Sequence, residues 1–265
     1  MNKIGFIGCG NMGKAMIAGI LDAGIVSADS IMASCLTPSK LEKIQNTYGI
    51  LTTCRNKEVA AFADLIFLAV KPQYYETVIA EIKDELTEDK ILVSIAPGRK
   101  LAWFEENAGE TCKIIRTMPN TPSMVKEGMM GICVNSKVTE QELEQFQRIC
   151  NSFSKTEVVP EHLMDVVTAV SGSSPAYVYI FIEAMADAAV EGGMPRSQAY
   201  TFAAQAVLGS AKMVLETGIH PGQLKDNVCS PGGTTIQAVR VLEEKGMRAA
   251  VMDAMRACLD KSKNM

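Results

Sequence analysis

The 265-residue sequence predicts an α/β chain in two parts, a doubly wound parallel sheet over residues 1–160 and an all-helical domain over 161–265. Three observations predict this. Short runs rich in Ile and Val recur up to about residue 160, and they are apolar throughout rather than alternating, as strands buried on both faces are. Stretches with helical spacing of apolar residues separate them. After Pro160 the short runs stop and long helical stretches take over.

In chain order, strands are expected over 4–7, 30–33, 65–70, 91–95 and 113–116. Helices are expected over 12–23, 39–48 and 73–85, with Gly24 placed where a left-handed C-terminal cap belongs. Trp103 falls in a further helical stretch and is most simply a packing residue. In the second part the helical stretches are 161–170, 175–191, 197–216, 235–244 and 248–261, punctuated by Gly192, Gly193 and Gly218. Residues 176–189 and 199–215 are apolar or small around most of the helix circumference. That width implies a partner surface, a second copy of the chain, although burial of these helices against each other is the plainer alternative.

Composition narrows the function. A net charge of −4 with no basic run gives nothing for the phosphates of nucleic acid to bind. The eight cysteines are scattered without a Cys-x-x-Cys pair or a neighbouring His, so neither a disulfide framework nor a zinc site is expected, and a reducing cytoplasm fits. The longest apolar runs, such as 65–70, are far too short for a membrane span, and no charged-then-apolar leader precedes the first strand. Small-molecule chemistry is left.

Gly8-Cys9-Gly10-Asn11-Met12-Gly13 is a G-x-G-x-x-G that follows a strand and opens a helix. Gly8 would permit the tight turn, Gly10 the approach of a pyrophosphate and Gly13 close helix–strand contact, with free N–H groups at the helix start. This predicts a Rossmann-type dinucleotide site. An NAD site would carry Asp or Glu at the end of the second strand; this chain has Ser34, followed by Cys35, Thr37, Ser39 and Lys40. Hydroxyls and a cation without a carboxylate favour NADPH, with NADH possible. Ser39 as an ordinary helix cap is the plain alternative and is compatible. Other candidates lie where strands leave the sheet: Ala69, Val70, Lys71 and Pro72; Ala96 and Pro97 before Gly98; and Asn120 between Pro119 and Thr121. Each could instead simply turn the chain.

The segment Asn227-Val228-Cys229-Ser230-Pro231-Gly232-Gly233-Thr234-Thr235 stands immediately before a helix. Backbone N–H groups freed by two glycines make a cradle for one small anion, such as a carboxylate, and Ser230, Thr234 and Thr235 can add hydroxyl donors. A capped helix start and nothing more is the competing reading.

With these motifs in view, the chain resembles the pyrroline-5-carboxylate reductases. The resemblance runs end to end, through Phe6-Ile7 and the glycine turn, Ala69-Val70-Lys71-Pro72, Arg116-Thr117-Met118-Pro119-Asn120-Thr121-Pro122, Ser171-Gly172-Ser173-Ser174-Pro175-Ala176-Tyr177, and Ser230 to Ile236. It implies a Rossmann domain, a helical dimerisation domain, and pairs that assemble into larger rings. It also implies that a substrate carboxylate rests on Gly233, Thr234 and Thr235, with the Thr235 hydroxyl at the ring nitrogen. Glu161 and Asn227 fall where further active-site contacts are implied. Implied cofactor contacts are Ile7 with Gly8 to Gly13, Ser34, Cys35, Asn56 and Ala69 to Pro72. The sequence Cys35-Leu36-Thr37 departs from the usual form of the loop beside the adenosine 2′ group.

The implied reaction is reduction of the C=N bond of 1-pyrroline-5-carboxylate to L-proline, the last step of proline biosynthesis. A cyclic imine nitrogen is protonated near neutral pH, so the protein mainly has to position its guests. The rival enzyme class, the β-hydroxyacid dehydrogenases, uses a lysine on a helix after a glycine-rich segment. Between Ser171 and Ala211 there is no lysine. A non-enzymatic NADPH sensor would not need the Ser230–Thr235 segment. His220 precedes Pro221 and reads as a cap, and Lys71 reads as a cofactor contact. No metal is expected.

Overall fold

A computed structural model of the chain describes residues 2–264. The apolar runs become strands of one eight-stranded sheet. In chain order these are β1 Ile4–Ile7, β2 Ile31–Ser34, β3 Leu51–Thr53, β4 Leu65–Leu68, β5 Ile91–Ser94, β6 Lys113–Met118, β7 Gly128–Val134 and β8 Ser154–Val158. Their spatial order is β3-β2-β1-β4-β5-β6-β7-β8, so the winding reverses between β1 and β4. The strands from β1 to β6 pair in parallel, β7 runs antiparallel to β6, and β8 is parallel to β7. Every residue of β1, β4 and β5 is buried, which is why these strands read as unbroken apolar runs.

Helices cover both faces: α1 Asn11–Asp22, α2 Pro38–Tyr48, α3 Asn56–Phe62, α4 Tyr75–Ile82, α5 Leu101–Ala108 and α6 Glu140–Cys150. Successive strand residues point to opposite faces and so supply two cores. One gathers Phe6, Met16, Phe67, Phe146 and Phe153, with the Phe6 and Phe67 rings stacked at 4.8 Å. The other gathers Ile7, Val59, Ile66, Leu68, Tyr75 and Phe104. Gly24 ends α1 with φ +63°, its N–H on the Leu21 carbonyl and that of Ile25 on the Ile20 carbonyl, the paired bonds of a Schellman motif.

Two expected helices are not continuous. Residues 72–85 form a 3₁₀ turn (Pro72–Tyr74), α4, and a second 3₁₀ turn (Lys83–Glu85). The 161–170 stretch is a 3₁₀ turn (Glu161–Leu163), the short α7 Met164–Val167 and a π turn, Thr168–Gly172. The Thr168 and Ser171 hydroxyls donate to the carbonyls of Met164 and Val167, and Asn120 Nδ2 donates at 3.0 Å to the Ser171 carbonyl, whose partner four residues on, Pro175, has no N–H to offer. These turns lie on the sheet: Gly131 of β7 has no room for a side chain beneath Val167.

The chain divides into two compact units, one reaching to Ser173 and taking up the chain again from Cys258, the other Ser174–Ala257. The second holds α8 Ser174–Glu191, α9 Arg196–Thr217, α10 Pro221–Val228, α11 Thr234–Glu244 and most of α12 Met247–Lys263. Gly193 and Gly218 take positive φ at the ends of α8 and α9, as the sequence anticipates. The core of this unit is small: Ala186, Ala199 and Ala203 are its buried hydrophobics, while Ile180, Phe202 and Leu215 are about two-thirds exposed, at 67%, 65% and 66%.

Candidate active site

The glycine turn sits at the carboxyl end of β1, beside the point where the winding reverses, the place where an open parallel sheet holds ligands. Gly8 has φ +88°, and a Cβ there would lie 2.7 Å from Val70 Cγ1 and 2.8 Å from the Ala69 carbonyl, so two constraints require glycine. Gly10 is different. Nothing lies within 4 Å of where its Cβ would point, which is the open approach a pyrophosphate needs. Gly13 departs from expectation: a Cβ would meet Ala69 Cβ at 3.5 Å, an ordinary contact, so helix–strand packing does not demand glycine here.

α1 starts from Gly10 in extended backbone (φ −78°, ψ −166°), with no side-chain cap and no acidic residue in its first turn. The N–H groups of Asn11, Met12 and Gly13 precede the first helical bond, which is Lys14 N–H to the Gly10 carbonyl. They can hold a diphosphate, and these residues fit a dinucleotide. The Cys9 thiol is pushed up to about 11, first by burial, then with Lys14 lowering and Cys35 raising it. It is a protonated filler of the turn at neutral pH.

Ser34 lies under the turn. Its hydroxyl donates to Asn56 Oδ1 at 2.8 Å and accepts from Gly8 N–H at 3.4 Å, while Asn56 Nδ2 donates to Glu81 Oε2 at 2.7 Å. The Ser34 and Asn56 side chains therefore brace the turn, and Ser34 is buried. Cys35 is partly exposed and Thr37 exposed at the rim of β2. Lys71 is exposed at the end of β4 beside Val70 and Pro72.

The exit of β5 is held by a buried network. Tyr75 Oη donates to the Leu68 carbonyl at 3.1 Å and accepts from Ser94 Oγ, and Thr117 Oγ1 donates to the Ser94 carbonyl at 2.8 Å. Burial, only partly offset by the bonds from Ser94, Ile95 and Ala96, pushes the Tyr75 hydroxyl up to about 12. Ala96 and Pro97 follow, then Gly98 with φ +99°. Asn120 at the end of β6 has both amide ends committed, Nδ2 to Ser171 and Oδ1 accepting from Met129 N–H at 2.9 Å. Glu161 Oε1 accepts from Leu101 N–H at 2.6 Å and from Arg116 Nη1 at 3.2 Å. Arg116, Ser94, Tyr75 and Glu81 were not singled out from sequence. Arg116 left a readable signal, since a charge directly after the apolar Ile114-Ile115 pair of a central strand must be paired.

Asn227, Ser230, Gly233, Thr234 and Thr235 belong to the other unit. Gly232 takes φ +69°, and α11 starts from Gly233 in extended backbone (φ −74°, ψ 171°), again without a side-chain cap or first-turn acid. A Cβ on Gly233 would strike the Ser230 hydroxyl. Among the described residues the Thr234 and Thr235 hydroxyls have no hydrogen-bond partner, whereas Asn227 Oδ1 accepts from Gln223 at 2.9 Å. By contrast, α10 is capped by His220, whose Nδ1 accepts from Gly222 N–H at 3.1 Å, as the sequence suggests. Thus α1 and α11 share a start, a glycine N-cap that leaves the first-turn N–H groups to a guest anion. Among the described residues no cluster of His, Cys, Asp or Glu could hold a metal, and no helix is long and apolar enough to cross a membrane.

Comparison with known proteins bears on both units. A family model described as pyrroline-5-carboxylate reductase dimerisation matches residues 161–265. Another, described as NADP oxidoreductase coenzyme F420-dependent, matches residues 3–98. A pyrroline-5-carboxylate reductase of Escherichia coli (strain K12) is 54% identical over 99% of this chain and 98% of its own. The crystal structure of a pyrroline carboxylate reductase from Plasmodium falciparum with NADP bound superposes with a TM-score of 0.89 at 36% identity, covering 99% of this chain and 97% of that one. A pyrroline-5-carboxylate reductase from Coxiella burnetii gives 0.93 at 34% identity, over 99% and 98%.

Proposed function

The chain belongs to the pyrroline-5-carboxylate reductase family, and from that premise we propose the family's reaction for it, carried out by the two glycine-led helix starts. It is an oxidoreductase that reduces 1-pyrroline-5-carboxylate to L-proline, the last step of proline biosynthesis, with NADPH as cofactor and NADH compatible with the same site. The observation that carries this is 54% identity over 99% of the chain, a span that takes in both turns.

NADPH, when bound, supplies the hydride. The chain's own groups then have to hold and orient. In this reading the free N–H groups of Asn11, Met12 and Gly13 in the Gly8–Gly13 turn bind the pyrophosphate; Cys35, Thr37 and Asn56 serve the adenosine side, with Ile7 and Ser34 holding the turn; Ala69 to Pro72, Ala96 and Pro97 serve the other half, with Asn120 supporting that end through its bonds to Ser171 and Met129. The amides of Gly233, Thr234 and Thr235 bind the substrate carboxylate, with Asn227 and Ser230 beside them. The Thr235 hydroxyl, without a partner among the described residues, orders the ring nitrogen, which reaches the site already protonated.

By role, residues 1–160 would then be the cofactor domain and 161–265 the dimerisation and substrate domain, whereas the compact units change over at Ser173 and again at Cys258. Self-association of the second is supported by an apolar groove of about 940 Å³ along α8, α11 and α12, lined by Phe181, Met185, Val241, Leu242 and Val251. We expect a homodimer, with dimers joined into larger rings, in the cytoplasm, where eight free thiols are stable. The test is oxidation of NADPH and NADH with pyrroline-5-carboxylate, a six-membered cyclic imine and a ketoacid. Turnover of the five-membered imine is expected; consumption of the ketoacid alone would replace this reading with a dehydrogenase.

A further inference from the structure

Glu161 stands at the first position after β8 and Pro160, yet its carboxylate is spent on two distant elements of the sheet unit. Oε1 accepts from the N–H of Leu101, the first residue of α5, and from the guanidinium of Arg116 on β6. Arg116 is 4% exposed and pairs in register with Ser94 at the end of β5. Glu161 thus pairs with a buried guanidinium and caps α5 from sixty residues away.

These contacts bracket one loop. The segment from Ile95 to Lys100 leaves the sheet at Ser94, where Tyr75 and Thr117 hold the strand end, and re-enters order at Leu101, where Glu161 holds it. With the glycine turn at β1 and the adenosine side over β2, the other half of a dinucleotide lies towards β4 and β5. On the cofactor reading above, this loop would wall the nicotinamide end.

We infer that Glu161, with Arg116, is a positioning residue for the reactive end of the cofactor, acting through the β5–α5 loop rather than as a contact of the imino acid. The inference rests on the cofactor reading above. It predicts a division of effects that a substrate contact would reverse: losing Glu161 loosens the loop, weakens NADPH and slows turnover, and leaves the imino acid's KM in place.

The variants are Glu161→Ala, Glu161→Gln and Leu101→Pro, assayed in the full-length protein for NADPH Kd by fluorescence, for kcat and KM, and for Tm. Proline is tolerated at a first helical position, and Lys100 already has the extended backbone (φ −86°, ψ 161°) that precedes proline, so Leu101→Pro deletes the N–H and spares the ion pair. Expected are a rise of about tenfold in NADPH Kd for Glu161→Ala and about fivefold for Leu101→Pro, with kcat falling in step and the imino acid KM within about twofold. Glu161→Gln, which keeps an acceptor for Leu101, should recover most of the loss. A raised imino acid KM with unchanged NADPH Kd would overturn the inference in favour of substrate contact. A lowered Tm with unchanged Kd in both Glu161→Ala and Leu101→Pro would overturn it in favour of a purely structural pair. Should Glu161→Ala not fold, Leu101→Pro alone decides. Wild-type protein that binds no NADPH would sink the function itself, whereas wild-type binding with unmoved variants sinks only this step.

Discussion

The two anion cradles start their helices alike and stand in unlike surroundings. The turn at Gly8 is wedged: Ala69 and Val70, which follow strand β4, fill the space where a side chain would go, and Ser34 and Asn56 brace it from below. At Gly232 the backbone is just as left-handed, but nothing lies within 4 Å of a Cβ, and the unit around it has a core of three buried alanines. The first site is thus built by its own sheet, whereas the second rests on local backbone geometry and on whatever covers the apolar faces of its helices. Shape held by packing resists substitution in a different way from shape held by φ and ψ alone, and single variants can separate the two.

The largest effect is expected at Gly8. Gly8→Ala combines a positive-φ strain with collisions against Val70 and the Ala69 carbonyl, a loss of about 3 kcal/mol or more in stability, and it should abolish measurable NADPH binding. Gly10→Ala should leave Tm unchanged and still raise the NADPH Kd by about a hundredfold, because the methyl enters only the space meant for the pyrophosphate. Gly232→Ala should cost about 1 kcal/mol, from backbone strain without collision. Thermal melts and NADPH titrations of the three variants check the contrast. Equal Tm losses for Gly8→Ala and Gly232→Ala would remove it.

Next in size is Thr235→Ala. With the carboxylate still held by backbone amides, the variant should lose about a hundredfold in kcat while NADPH Kd stays within about twofold. Unchanged kcat would take Thr235 out of the mechanism and leave the second cradle as a binding turn only.

How far these features were legible follows the same line. β1, β4 and β5 could be read because burial on both faces makes them continuously apolar, and α1 because a glycine motif precedes it and Gly24 ends it. Three strands towards the two margins of the sheet were not legible. β3 is three residues long, β7 (Gly-Met-Met-Gly-Ile-Cys-Val) carries two glycines, Gly131 being needed under Val167, and β8 (Ser-Lys-Thr-Glu-Val) is exposed along much of its length. Helix periodicity over 161–170 hid a π turn, closed by the Ser173 N–H on the Thr168 carbonyl just where Pro175 deprives the Ser171 carbonyl of its helical partner. At the site, backbone cradles announce themselves through glycines, because only glycine serves there. The bracing of Ser34 by Asn56 and the hold of Glu161 on Leu101 do not, because each joins residues more than twenty positions apart.

The open faces of the helical unit give a third prediction. Leu242 is 44% exposed on one subunit and lines the apolar groove, so Leu242→Asp should cost an isolated subunit little. It should cost an assembly much, because the new charge would be buried without a partner. Sedimentation should show the wild type associated and the variant dissociated at micromolar protein, with a Tm that depends on concentration for the wild type only. An unchanged mass for the variant would move the interface off this groove.

The smallest effect lies in the sheet unit, and it tests whether that unit's stability is internal. Lys126, which follows the 3₁₀ turn Thr121–Val125, is the non-glycine residue that takes positive φ (+63°) among those described. Its ammonium pairs with Asp22 at 3.0 Å, but both side chains are more than half exposed, so the pair adds little. Glycine relieves strain of about 1 kcal/mol and forfeits about half of that through a freer unfolded chain, for a net gain of about 0.5 kcal/mol. Lys126→Gly should therefore raise Tm by about 1 to 2 °C and Lys126→Val should lower it, since a β-branched residue tolerates this region least. Because the strain is relieved within one unit, the shift should be the same at every protein concentration, unlike the Leu242→Asp effect. A shift that grew or vanished on dilution would mean that the sheet unit, too, borrows its shape from a partner.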